Sequence, residues 1–363
     1  MRIKFLIFLS IFLSIFSLLM ARLIDVTLLQ GQHFFDLAQN NRYFIKKIPA
    51  ERGIFLDRYG QALVKNERQY FRYLEGDRLY SDKIFLSRDE ALLMMASDSA
   101  NLAYELNRIY PYGEALSSVL GYLSPVSETD LQKNPQLSLN SRVGSLGLEQ
   151  FFDQQLQAKA AEQKFEVNAL GQKQRLFAST PAIYGQNLVT TLDPYLSQIA
   201  YQAMAGKKGA VVIMDASNGE LLSLISSPSF DANIFEEHYV NNLHQHNRQI
   251  SLAKIKQALA DENLVFFNRS QSGAYPPGSV FKLITALAAL EEGVIDENST
   301  VDDQGTLKVG DYAYANWYFT QYGRVEGSLN VQKALARSND IFFYKAAEWL
   351  GPSKLAEYAR LFG

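Results

Sequence analysis

The chain contains no cysteine, which excludes disulfides, thiolate metal sites and a cysteine nucleophile together. An oxidising compartment would therefore pose no mispairing hazard. Histidine is scarce: His33, His238, His244 and His246 are the only four. His244 and His246 form the one close pair, have no acidic cluster beside them, and read as a solvated loop feature rather than a metal site. No metal or organic cofactor is expected. An excess of positive charge is missing too, since 35 Lys+Arg against 38 Asp+Glu leaves a net charge of -3. That gives no basic footprint, so no nucleic-acid partner is expected. There is no internal repeat and no low-complexity tract. The composition, 47% hydrophobic and 20% charged over 363 residues, is that of a globular chain with room for one or two cored domains behind any membrane segment.

One long apolar run is present. Phe5 to Ala21 is interrupted only by Ser10, Ser14 and Ser17, with Arg2 and Lys4 before it and Arg22 after it. A helix needs about 20 residues to cross hydrocarbon, and Phe5 to Ile24 nearly meets that if Arg22 snorkels. Leu18-Leu19-Met20-Ala21-Arg22 is a poor cleavage site, so the segment is expected to stay as an anchor rather than be removed as a signal peptide. Its basic end then remains in the cytoplasm, and everything after it lies outside.

Beyond the anchor, Ile24 to Asn41 carries a loose helical stripe in Ile24, Leu28, Leu29 and Phe35. Pro49, Gly53 and Gly60 punctuate extended pieces from Lys46 to Asn66. A helix is expected around Leu92 to Ile109, a loop at Ser124 to Ser127 and a polar helix near Leu146 to Gln157. A boundary falls near Tyr184 to Asp193, where Asp193-Pro194 is a natural cap for a helix reaching Met204. Gly209 to Met214 reads as a buried strand, Ser217-Asn218-Gly219 as a turn, and Glu220 to Ile225 as the returning strand of a hairpin. Residues 231 to 270 form a polar, helix-prone insertion.

Tyr275-Pro276-Pro277-Gly278 then leads into Ser279-Val280-Phe281-Lys282 and an apolar run to Leu290. A serine and a lysine three residues apart on a helix share a face, so the amine can take the hydroxyl proton. A bare Ser-x-x-Lys is weak, and Ser251-Leu252-Ala253-Lys254 also fits it, but that copy sits in a polar stretch with nothing to bury its lysine. Around Ser279 the pattern of Val280, Phe281, Leu283, Ile284, Leu287 and Leu290, closed by Gly293, predicts a nearly buried helix. Desolvation would favour the neutral amine of Lys282, and the helix start would favour negative charge near the serine oxygen. A plain N-cap serine and a snorkelling surface lysine account for the same residues. Ser338-Asn339-Asp340 offers a second polar cluster, able to relay a proton and bond the lysine, or simply a serine or aspartate N-cap for the helix through Trp349.

Several stretches together resemble the class B penicillin-binding proteins, the membrane-anchored single-reaction transpeptidases. Arg52-Gly53-Ile54-Phe55-Leu56-Asp57-Arg58-Tyr59-Gly60 resembles the first pedestal motif, and Tyr110-Pro111 through Gly121-Tyr122 and Gly144-Ser145-Leu146-Gly147-Leu148-Glu149 resemble later ones. Thr190-Thr191-Leu192-Asp193, the hairpin Gly209 to Ser229, and Asn268-Arg269 leading to Ser279 are similar to the entry of the catalytic domain. The resemblance implies an α/β (α+β) fold: a membrane anchor at 1–25, a β-rich pedestal at 26–190, and at 191–363 an incomplete transpeptidase domain whose mainly antiparallel sheet is flanked by helices. By the same resemblance Ser279 is the acylated nucleophile, Lys282 its base, and Ser338 and Asp340 the second motif. Asp340 in that place, with Phe342-Phe343-Tyr344 following, is similar to the elongation-associated branch more than the division branch. The implied reaction cross-links peptidoglycan stem peptides through an acyl-enzyme, with β-lactams acylating the same serine, beside a membrane-embedded glycan polymerase.

The family's third motif, Lys-Thr-Gly or Lys-Ser-Gly, occurs nowhere in the sequence, so the chain is expected to be a fragment or a truncated form. A catalytically inactive, membrane-anchored interaction protein is the competing reading. A soluble serine β-lactamase would share Ser-x-x-Lys but has no use for residues 45 to 190.

Overall fold

The computed structural model describes residues 2–73, 83–96, 102–135, 137, 141–168, 173–236 and 248–363; His238, His244 and His246 lie outside them. Contacts divide the chain into two compact units, Met1–Gly273 and Ala274–Gly363.

In the first unit, one helix, Arg2–Ile24, contains the apolar run, and its described side chains are exposed. The helix expected from Ile24 to Asn41 is instead broken. A short π segment, Asp25–Leu29, ends at Gln30, whose side-chain amide bonds the Asp25 carboxylate at 3.0 Å, and a new helix runs Gly31–Arg42. This local amide–carboxylate pairing overrides the apolar stripe. Tyr43–Ile48 pairs with Ala161–Val167, which pairs with Lys173–Thr180, and Lys65–Tyr73 lies between Lys83–Leu86 and Leu102–Ile109, all antiparallel.

The second sheet corrects the expected helix from Leu92 to Ile109. Among the described residues only Arg88–Ala96 is helical there, while Leu102–Ile109 is a strand in register from Lys65↔Ile109 to Arg72↔Leu102. A strand partner supplied from far away in sequence outweighs the local pattern. Likewise, the expected loop at Ser124 contains a short strand, Leu123–Pro125, paired with Arg142–Gly144. The expected polar helix is two pieces, Gly147–Phe151 and Asp153–Leu156, because Phe152 leaves helical geometry at φ -102° and ψ 17°.

Phe55, Leu63, Leu116 and Leu156 are fully enclosed in the core of this unit. Tight approaches explain its glycines: a Cβ on Gly53 would sit 2.0 Å from the Gln186 carbonyl, and one on Gly121 would sit 1.7 Å from that of Leu146. The buried carboxylate of Glu149 joins two of the sequence motifs, meeting Arg52 Nη2 at 2.8 Å and Arg108 Nη2 at 2.7 Å. Asp193 caps Pro194–Met204, accepting from the Tyr195 and Leu196 N–H groups at 3.0 Å. The hairpin forms as Gly209–Met214 against Leu221–Ser227, but the first strand alternates intermediate and exposed residues rather than being buried, since among the described residues it has this one partner strand.

The second unit opens with a 3₁₀ turn, Gly278–Val280, and the helix Phe281–Glu291. That helix packs on Asp340–Leu350 around Ala286, Ala289, Ile341, Phe342 and Ala346. Its burial differs from the expectation: Thr285, Ala286, Ala288 and Ala289 form the enclosed face, while Val280 is 71% exposed and Leu283 60%. Small residues set the close approach to the neighbouring helix, and the larger ones stand on the other side. Two antiparallel pairs, Thr300–Asp303 with Gly327–Asn330 and Thr306–Val309 with Tyr312–Ala315, complete the unit with the helices Trp317–Tyr322, Val331–Arg337 and Pro352–Leu361. The chain is thus a mixture of helices and mainly antiparallel sheets; among the described residues only Leu188–Val189 beside Phe55–Leu56 pairs in parallel.

Candidate active site

Four side chains converge in the second unit. Ser279 stands exposed on the 3₁₀ turn, and Gly278 before it has φ 56°, a conformation that suits glycine. Lys282 lies one turn further, on the helix. Ser338 ends Val331–Arg337 in the left-handed conformation, φ 49° and ψ 43°, and Asp340 begins the next helix. A serine rarely adopts that backbone, and such strain concentrates at functional sites. It turns the Ser338 carbonyl and hydroxyl both toward Lys282.

The bonds form one connected line. Lys282 Nζ donates to Asp340 Oδ1 at 2.6 Å, to the Ser338 carbonyl at 2.7 Å and to Ser338 Oγ at 3.2 Å. Ser338 Oγ in turn donates to Ser279 Oγ at 2.9 Å. Two expectations are corrected here. The surroundings of Lys282 are polar rather than greasy, with its side chain 13% exposed and paired to a carboxylate 21% exposed. Nor does Lys282 meet Ser279 directly among the described hydrogen bonds; Ser338 stands between them because its left-handed turn inserts the hydroxyl there.

The simpler account of the second cluster also changes. The N-cap of Asp340–Leu350 is neither Ser338 nor Asp340 but Asn339, whose Oδ1 accepts from the Phe342 N–H at 2.9 Å. Neither Ser338 nor Asp340 therefore caps this helix, and both are turned to Lys282. The other copy of Ser-x-x-Lys lies on the helix Arg248–Leu259, in the first unit, with Lys254 exposed.

Three further residues surround the four. Asp303, Asn316 and Asn339 are all fully buried, and Trp317 N donates to Asp340 Oδ2 at 3.0 Å. Asn339 lay within the tripeptide that the sequence offered as a polar cluster, but sequence reasoning missed Asp303 and Asn316, since an aspartate and an asparagine look like turn residues until the strands and helices carrying them meet.

Two hydroxyls, an amine and a carboxylate linked in this order suit serine acyl transfer. The penicillin-binding-protein transpeptidase domain family matches residues 209–363, and the penicillin-binding-protein dimerisation domain family matches 90–190. The chain belongs to the penicillin-binding protein family. Among its relatives in that family, the peptidoglycan D,D-transpeptidase MrdA of Escherichia coli K12 is 33% identical over 264 residues, covering 70% of this chain and 39% of that protein. The chain thus spans about two fifths of that relative's length. Among solved structures, a penicillin-binding protein (PBP2) of Helicobacter pylori in complex with MreC matches with TM-score 0.68 and 25% identity, over 88% of this chain and 64% of that one. A chain from a peptidoglycan synthase complex that couples polymerisation and crosslinking matches with TM-score 0.71 and 26% identity, over 98% of this chain and 67% of the other. Like a membrane-anchored member of the family, this chain carries a helix, near its N-terminus, long and apolar enough to cross a bilayer, within Ile7–Leu29.

Proposed function

We propose that this chain carries the acylating site of a peptidoglycan D,D-transpeptidase, with Ser279 as nucleophile, Lys282 as base, Ser338 as proton relay and Asp340 as partner of the amine. The connected bonds from Asp340 through Lys282 and Ser338 to Ser279 carry this reading. Ser279 Oγ attacks the carbonyl of the penultimate D-alanine of a stem peptide, and its proton passes through Ser338 to the amine form of Lys282. Asp340 balances the ammonium so formed. As the adduct collapses the C–N bond breaks, the proton returns through Ser338 to the leaving nitrogen, and terminal D-alanine departs. An amine from a neighbouring stem peptide then attacks the ester, makes the cross-link and restores the serine. A β-lactam opens on the same oxygen, but its leaving nitrogen stays tethered and the adduct persists.

In this reading residues 1–25 anchor the protein, 26–190 serve as pedestal, and 191–363 belong to the catalytic domain, on the periplasmic or extracytoplasmic side. The partner is a membrane-embedded glycan polymerase, and the branch is the elongation-associated one. Support comes from the MrdA relative, from the PBP2 complex and from the synthase complex. The test is fluorescent penicillin labelling of the protein expressed from its complete coding region. A covalent band that disappears in Ser279→Ala is expected. An equally labelled alanine variant ends the proposal, and an unlabelled wild type ends it and leaves the chain as an anchored interaction protein.

A further inference from the structure

The reaction above gives no part to Asp303, although it is a fully buried carboxylate close in the bonding network to Asp340. Asp303 ends the strand Thr300–Asp303 and is held by neutral donors: Gly305 N at 2.6 Å, Asn316 Nδ2 at 2.8 Å and Asn339 Nδ2 at 2.7 Å. No cation pairs with it among the described residues. Three hydrogen bonds make such burial tolerable, and they also make the carboxylate a rigid reference point for whatever donates to it.

Asn316 is the more telling neighbour. It occupies the N-cap of Trp317–Tyr322, where an asparagine side chain ordinarily accepts from its own helix, yet it makes no cap bond. Its amide bridges two other groups. With Nδ2 fixed on the Asp303 carboxylate, Oδ1 is left to accept the backbone N–H of Asp340 at 3.2 Å. Reversing the amide would set oxygen against oxygen and N–H against N–H, so Asp303 determines which way Asn316 points. The helix that Asn316 leaves uncapped is served by Asp340, whose Oδ2 accepts from Trp317 N at 3.0 Å. The two oxygens of Asp340 are thereby divided, Oδ2 to the helix and Oδ1 to Lys282 at 2.6 Å.

We propose that Asp303 and Asn316 are positioning residues that hold the Asp340 carboxylate with one oxygen reserved for Lys282. The proposal rests on the reading of Ser279 and Lys282 given above and adds two residues that touch neither substrate nor reacting atoms. Asn339 reinforces the arrangement from the other side, since its Nδ2 also reaches Glu326 Oε2 at 2.9 Å.

The test is stopped-flow acylation of the full-length protein by a fluorescent penicillin, separating the saturation constant from the maximal rate. Asn316→Ala and the isosteric Asp303→Asn should each lower the maximal rate by about 10 to 100-fold, the weight that outer-shell partners carry at metal sites, and alter its pH profile, with the saturation constant unchanged. Asn316→Asp sets two carboxylates face to face and should be worse. The exchange Asp303→Asn with Asn316→Asp restores a donor to an acceptor and should recover part of the loss relative to Asn316→Asp alone, which a simple packing role would not produce. Wild-type rates and pH profile in Asp303→Asn and Asn316→Ala, or an exchange variant no better than Asn316→Asp, would overturn the proposal. Crystal structures keep the two readings apart. If the wild type takes no lactam, the reading of Ser279 fails, while positioning still stands or falls on whether Asp340 Oδ1 leaves Lys282 Nζ in Asp303→Asn and Asn316→Ala.

Discussion

Ser338 shows how one residue serves backbone and chemistry at once. Its left-handed conformation costs about 1–2 kcal/mol for a residue with a Cβ, and the same turn places the hydroxyl between Lys282 and Ser279. Two substitutions separate these effects. Ser338→Ala and Ser338→Gly both remove the proposed relay, so both should slow penicillin acylation by about 100 to 10,000-fold, the usual weight of a positioned proton carrier. Only glycine relieves the backbone, so Ser338→Gly should melt higher than Ser338→Ala by about 1 kcal/mol in stability. Paired acylation assays and thermal melts check this. Equal stability of the two variants would show that the turn carries no strain.

At the scale of elements, several ties inside the first unit join helices or strands distant in sequence. The helix Pro194–Met204 meets Glu114–Leu120 through Tyr201, whose hydroxyl donates to Glu114 Oε2 at 2.6 Å. Burial, then the bond to Glu114, pushes the Tyr201 phenol up from the ordinary 10.0 to about 12. A raised value means that the folded state favours the protonated phenol. The stability contributed by Tyr201 is therefore fully present below pH 10 and is lost as pH rises through about 12. Spectroscopic titration should find Tyr201 ionising late, and Tyr201→Phe should flatten the loss of stability across that window. A Tyr201 that ionised with the exposed tyrosines would contradict the assigned burial and bond.

For the whole molecule, the decisive feature is the N-terminal helix Arg2–Ile24, whose described side chains are exposed and, apart from Ser10, Ser14, Ser17 and Arg22, apolar. Lipid is the solvent that suits such a surface. Expressed in a bacterium, the full chain should stay with the membrane after carbonate extraction. Ile15→Asp together with Leu18→Asp should release it, since each aspartate near the centre of a span costs about 2.5–3.5 kcal/mol. Retention of the double variant in the membrane would place the attachment elsewhere.

What the sequence determined alone was whatever depends on neighbours along the chain. The apolar anchor, the Asp193-Pro194 helix start, the Gly219 turn of the hairpin and the spacing of Ser279 to Lys282 are all legible there, because caps, turns and helical faces are set within a few residues. The strand Leu102–Ile109 was not legible, since its partner residues in Lys65–Tyr73 lie 30 to 44 positions away in sequence. The same holds for the surroundings of Lys282: the sequence suggested a greasy wall, and the fold supplied Asp340 and Ser338 from more than fifty residues further on. Asp303, Asn316 and Asn339 became a network only when strand and helix ends met around them. A polar side chain's partners across such distances are chosen by packing, and no local pattern records that choice.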